Sequence, residues 1–98
     1  MKLRITYHDL AEAELKEATE YYGQISPRLA SAFLDEIERA TGQIIEYPQS
    51  TPVVRAGVRR KILRKFPYAI LYSVRSEEIR ILAIANMKRR PFYWRGRR

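Results

Sequence analysis

The chain is 98 residues long, and nineteen Lys and Arg against eleven Asp and Glu leave a net charge of +8 and a pI near 10.1. That length suits one domain spanning 1–98, since domains commonly run to about 100–150 residues, and the 46% hydrophobic share excludes a disordered chain. The absence of cysteine excludes a disulfide framework, thiol catalysis and a Cys-based zinc site, and a lone histidine, His8, excludes a His-rich metal centre.

The charge is unevenly spread. Residues 1–49 carry five basic and nine acidic side chains, whereas residues 50–98 carry fourteen basic ones against Glu77 and Glu78 alone. A net −4 in the first half and +12 in the second point to a polyanionic or acidic partner for the second half. Lys2 and Arg4 lead into polar sequence, so no signal peptide is expected. The longest apolar runs, Ala69–Tyr72 and Ile81–Ala85, are too short to cross a bilayer.

In chain order, Lys2–Tyr7 places Leu3, Ile5 and Tyr7 on one face of a short strand. Asp9 is the expected cap of a first helix, with Glu12 completing a capping box. Along that helix Ala11, Leu15, Ala18, Tyr22 and Ile25 form an apolar stripe opposite an acidic face. Gly23 to Pro27 breaks it, Ser26 caps a second helix and Pro27 takes its first position. Leu29, Phe33, Ile37, Ala40 and Ile44 make the second stripe, with Ala30, Leu34, Thr41 and Ile45 beside it. So short a connection makes the two helices an antiparallel hairpin.

Tyr47–Pro52 is a loop with two prolines. Three strand-like runs follow: basic Val58–Lys65, aromatic and aliphatic Tyr68–Val74, and Ile79–Ala85. Their short connections require antiparallel neighbours. The last run lacks alternation and is expected to be a central strand buried on both faces, which leaves the basic run for an exposed face or edge. The tail Lys88–Arg98 sets six positive charges around Pro91, Phe92, Tyr93 and Trp94. The fold class is therefore α+β: a helical hairpin packed on an antiparallel sheet, in the order β-α-α-β-β-β.

No glycine-rich phosphate loop is present and no nucleophile motif accompanies His8, which reads as a strand-end residue. The acidic side chains sit on solvated helix faces, a poor setting for paired-carboxylate hydrolysis. What remains is a basic and aromatic surface. Arg59, Arg60, Lys61, Arg64 and Lys65 fall within seven residues, with Arg59 and Lys61 on one face of the strand and Arg60 on the other. Arg80 and the tail cations Lys88, Arg89, Arg90 and Arg95 follow. Guanidinium groups hold phosphate or carboxylate bidentately, and flat rings such as those of Tyr93 and Trp94 stack on bases. The plain alternatives are a strand kept soluble by its charge and a tail folded back to cap the sheet.

The order of these motifs resembles the RelE/ParE superfamily of bacterial toxins. The resemblance runs over nearly the whole chain: Ala13-Glu14-Leu15 and Tyr21-Tyr22, Phe33 and Glu36, Tyr47-Pro48, Phe66–Tyr72, Ile79–Ala85, and the closing Arg89-Arg90-Pro91-Phe92-Tyr93-Trp94. It implies the same two-helix fold and the toxin half of a type II toxin–antitoxin pair in the cytoplasm, neutralised by a cognate antitoxin. It implies no metal and no cofactor. The proline-containing aromatic ending and the Phe66-Pro67-Tyr68 turn are closer to the ParE-like branch, which poisons DNA gyrase. There Arg59, Arg60, Lys61, Arg64, Lys88, Arg89, Arg90, Trp94 and Arg95 form a target-binding surface. The alternative is a RelE-like endoribonuclease acting on messenger RNA in the ribosome. In that reading Lys61 is the base, Arg59, Arg64 and Arg80 bind phosphate, and Tyr93 is the acid or a stacking platform. Asn86 stands where similar sequences often carry His, which removes one candidate acid–base group. From charge alone, a small basic nucleic-acid-binding domain is the third reading.

Overall fold

The computed structural model describes residues 3–98, so Lys2, at the start of the first expected strand, lies outside the described residues. The elements are β1 (Arg4–Tyr7), α1 (Asp9–Ile25), α2 (Pro27–Glu46), β2 (Val53–Arg55), β3 (Val58–Ile62), β4 (Tyr68–Val74) and β5 (Glu78–Asn86). The expected helical hairpin on a sheet is present, with one strand more than expected.

The helices begin and end for local reasons. His8, rather than Asp9, caps α1: its backbone is extended and its Nδ1 accepts the Leu10 N–H at 3.0 Å, so Asp9 is already helical. Ser26 serves both helices. Its N–H closes α1 on the Tyr22 carbonyl at 2.9 Å, and its Oγ accepts the Leu29 N–H at 3.2 Å at the start of α2. A one-residue joint followed by Pro27 turns the chain sharply and lays α2 back along α1.

The five strands lie in the order β1-β5-β4-β3-β2. Strands β2 to β5 pair antiparallel, as short connections demand, whereas β1 joins β5 in parallel, because the whole chain rather than a hairpin separates them. β2 was not expected. It forms a tight hairpin with β3 through Ala56 (φ 48°) and Gly57 (φ 78°), both in the left-handed region that two-residue hairpins require. Basic β3 is therefore paired on both sides and is not the sheet edge. It also stops at Ile62, short of the expected Lys65, since the Arg64 N–H turns to the Glu36 carboxylate and Lys65 is left-handed (φ 65°).

β5 is buried on both faces, as its apolar run suggested. Its broken alternation has a second cause: Leu71 pairs with Ala83 but Tyr72 with Ile81, leaving Leu82 as an extra residue in a β-bulge. The bulge shifts the phase by one, so Ile79, Ile81 and Ile84 face the helices while Leu82, Ala83 and Ala85 face away.

Two cores result. On the helix face, Tyr22, Phe33, Phe66 and Tyr68 interlock at centroid distances of 5.0 to 6.3 Å, above Ile70, Tyr72 and Ile81. Tyr72 is fully buried, and its hydroxyl ties down the proline loop by donating to the Pro48 carbonyl at 2.9 Å. On the opposite face the tail folds back, and Trp94 packs with Val58, Ala69, Leu71 and Leu82.

Candidate functional site

Alternation along β3 sorts the basic cluster. Arg59 and Lys61 pair with Tyr72 and Ile70, which face the helices, and Arg60 pairs with Leu71, which faces the tail. Arg80, opposite Ser73 on β5, also faces the tail side. The expected site residues therefore fall into two groups separated by the sheet.

On the helix side Arg59 is spent on structure, its Nη1 donating to the carbonyls of Gln49 and Thr51 in the proline loop. Nearby, Glu36 accepts two hydrogen bonds from Arg39 at 2.6 and 2.7 Å and a third from the Arg64 N–H at 2.6 Å. The hydrogen bond to Arg39 chiefly holds the Glu36 carboxyl below the usual carboxylate range. Burial, followed by repulsion from Arg39 and Arg64, pushes the Lys61 ammonium below the ordinary lysine value. Arg39 was not singled out from sequence, because only folding brings α2 beside β3. Its Nη1 is buried without a hydrogen-bond partner.

The tail side is built around Tyr93. The Arg89 guanidinium lies 4.0 Å from its ring centroid and that of Arg97 5.1 Å. Arg97 in turn forms a bidentate ion pair with Glu14 of α1, both bonds 3.0 Å. This pair covers a weak point of the sheet. β1 ends at Tyr7, and beyond it no strand among the described residues lies beside the outer edge of β5. There the Leu82 carbonyl accepts from Arg97 and the Ile84 N–H donates to Glu14, each at 3.0 Å. Burial and then the neighbouring Glu14 carboxylate raise the pKa of the Tyr93 hydroxyl. Arg80 is held as well, donating to the Tyr7 carbonyl at 3.1 Å and the Arg98 carbonyl at 3.3 Å.

This geometry redistributes the expected roles. Lys61 lies on the helix side of the sheet and Tyr93 and Arg80 on the tail side, so the base and the acid of the RelE-like set sit on opposite faces. Trp94 is 7% exposed and packs the second core, with its ring also lining the space between sheet and tail. By contrast Arg60, Lys88, Arg89, Arg90 and Arg95 are exposed, and among the described residues none of their side chains is in an ion pair.

Two concavities adjoin this tail. One, about 350 Å³, lies between the sheet and the tail and is rimmed by Arg60, Arg89 and Arg90. The other, about 590 Å³, runs between α1 and the outer end of β5, past Glu17, Tyr21, Ile25 and Lys88. Tyr21 and Ile25 are 57% and 59% exposed there, so Ile25 falls off the buried stripe expected of α1. Among the described residues, no group of His, Asp and Glu is arranged to hold a metal ion, and no helix is long and apolar enough to cross a membrane.

A two-helix hairpin on one face of a mainly antiparallel sheet, with a short basic tail on the other, defines a RelE/ParE-like toxin fold. The chain belongs to the ParE toxin family of type II toxin–antitoxin systems: the family described as "ParE toxin of type II toxin-antitoxin system, parDE" matches residues 5–91. A solved chain described as "Chromosomal ParDE TA system from P. aeruginosa" superposes with a TM-score of 0.74 at 22% identity, covering 87% of this chain and 96% of that one. Comparison with curated protein sequences returns no match.

Proposed function

We propose that this protein inhibits DNA gyrase and is held inactive by a cognate antitoxin. Membership of the ParE family motivates the target. The observation that carries the reading is the exposed cation cluster of Arg60, Lys88, Arg89, Arg90 and Arg95, none of which is in an ion pair among the described residues. Keeping that much like charge together disfavours the free state and favours an anionic or acidic counterpart. Lys61 and Arg64, on the helix side of the sheet, are assigned to a second contact with the target. Purified gyrase assayed for supercoiling with increasing protein is expected to lose activity. Unchanged supercoiling at excess protein overturns the proposal.

The antitoxin is assigned to the cleft between α1 and β5. Exposed Tyr21 and Ile25 supply apolar anchors, and the adjacent Lys88 and Arg89 suit an acidic segment. Tyr21→Glu and Ile25→Glu are expected to weaken antitoxin binding in a titration while leaving gyrase inhibition intact. Binding unchanged by both substitutions removes this assignment.

A further inference from the structure

The concavity between sheet and tail has features that neither a packed core nor a solvated charged face requires. Its floor is shallow-sided because Ala69 and Ala85 are directly paired across β4 and β5, and larger side chains at that pair would fill it. Leu71 and Val54 complete an apolar floor, and the tail supplies the facing wall through Pro91, Phe92 and Trp94. At about 350 Å³ the space is within the range of small-ligand sites, roughly 300–1,000 Å³.

The charged groups at its mouth are all arginines, with Asn86 and Tyr93 the other polar side chains that line it. Arg60 comes from β3, and Arg89 and Arg90 follow β5, so folding rather than sequence brings them together. No carboxylate lines the space, and among the described residues none of the three arginines is in an ion pair. A fourth, Arg55, lies over the Phe92 ring at 5.0 Å. Phe92 is itself left-handed (φ 60°), a conformation that turns the tail back over the sheet.

We propose that this pocket binds a phosphate attached to a flat heteroaromatic ring, as in a nucleotide. The ring enters the apolar slot between sheet and tail, and the phosphate meets the arginine rim. A phosphate monoester carries about two negative charges and three strong acceptor oxygens, which suits several guanidinium groups better than a single carboxylate does. The same chemistry is offered by a free nucleotide and by the 5′-phosphorylated end of a nucleic-acid strand. Binding is a property of the isolated protein, so it is tested apart from gyrase inhibition and either can fail alone.

Trp94 is the only tryptophan and lines the pocket, so its emission reports occupancy. The whole protein is titrated with AMP, adenosine, inorganic phosphate and a short 5′-phosphorylated oligonucleotide, followed by Trp94 fluorescence and by calorimetry. Saturable binding of AMP or of the oligonucleotide is expected, with AMP alone identifying a free nucleotide and the oligonucleotide alone a strand end. Arg60→Gln and Arg90→Gln, both at exposed positions, are each expected to weaken it roughly tenfold, and Ala85→Val to weaken it by partly filling the slot. Circular dichroism checks that each variant is folded. No saturable binding by either method overturns the proposal. So does inorganic phosphate binding as tightly as AMP, adenosine binding as tightly as AMP, or affinity that survives both arginine substitutions.

Discussion

The two faces of the sheet are closed by different means. The helix face is covered by two long helices and filled by large interlocked rings, with Phe33 and Tyr72 fully buried. The tail face is covered by a short irregular segment anchored through one buried ring, Trp94, one ion pair, Arg97 with Glu14, and cations stacked on Tyr93 and Phe92. The face packed by periodic helices buries their inner stripes and leaves Tyr21 and Ile25 exposed at one end. One held by a few anchors exposes many of its remaining side chains, here mostly arginines. The exposed cations Arg60 and Arg90 thereby gather beside the tail, while the cleft assigned to the antitoxin opens along α1.

The contrast is tested most sharply by truncating one anchor on each side. Phe33→Ala and Trp94→Ala are each expected to cost about 3–5 kcal/mol in urea unfolding, as buried aromatic truncations do. Hydrogen exchange separates them: Trp94→Ala should release the tail and the outer part of β5 first, Phe33→Ala the helices. A Trp94→Ala loss below about 1 kcal/mol would mean that the tail face is not a second core.

Next in size is the clasp at the β5 edge. Arg97→Gln and Glu14→Gln each leave a mostly buried charge with a weakened partner, and each is expected to cost about 2 kcal/mol. The double substitution should cost less than the sum, since both remove one interaction. Additive losses would show that the two residues act independently.

A smaller effect is expected from Lys61. Its folded pKa is lowered, chiefly by burial, so the unfolded chain binds more protons between that value and the unfolded one. Lys61 therefore disfavours the fold at neutral pH, and that contribution fades as pH rises through this window. Lys61→Met should gain stability at pH 7 relative to the parent, with the gap closing towards pH ~10.4. A gap that widens with pH contradicts the half-buried, cation-flanked setting. The smallest stability effect belongs to Arg60→Gln and Arg90→Gln, expected within about 0.5 kcal/mol of the parent. The same two changes should reduce gyrase inhibition, and a large stability loss from them would show that these arginines belong to the packing rather than to a free surface.

Much of the fold was legible because local rules reach that far. The stripe Phe33, Ile37, Ala40 and Ile44 is the buried face of α2, and Ser26-Pro27 is the joint between helices. Tyr68–Val74 is β4 residue for residue. β2 escaped because three residues are too few for a period, although Gly57 between two Val-rich runs was its available signal. The site was less legible. Alternation separated Arg60 from Arg59 and Lys61, but nothing in the spacing shows Arg39 beside Lys61 or Glu14 beside Arg97.

The sequence by itself determined the α+β class, the helical hairpin, the central place of the last strand and the concentration of positive charge in the second half. These follow from periodicity, capping and composition, which act over a few residues or over the whole chain. Only the tertiary structure decided that β1 runs parallel to β5, that Leu82 bulges, and that Trp94 is buried. It also decided that the sheet stands between Lys61 and Tyr93. Those outcomes depend on which distant segments pair and in what register, and one residue of bulge is enough to change the face on which a side chain lies.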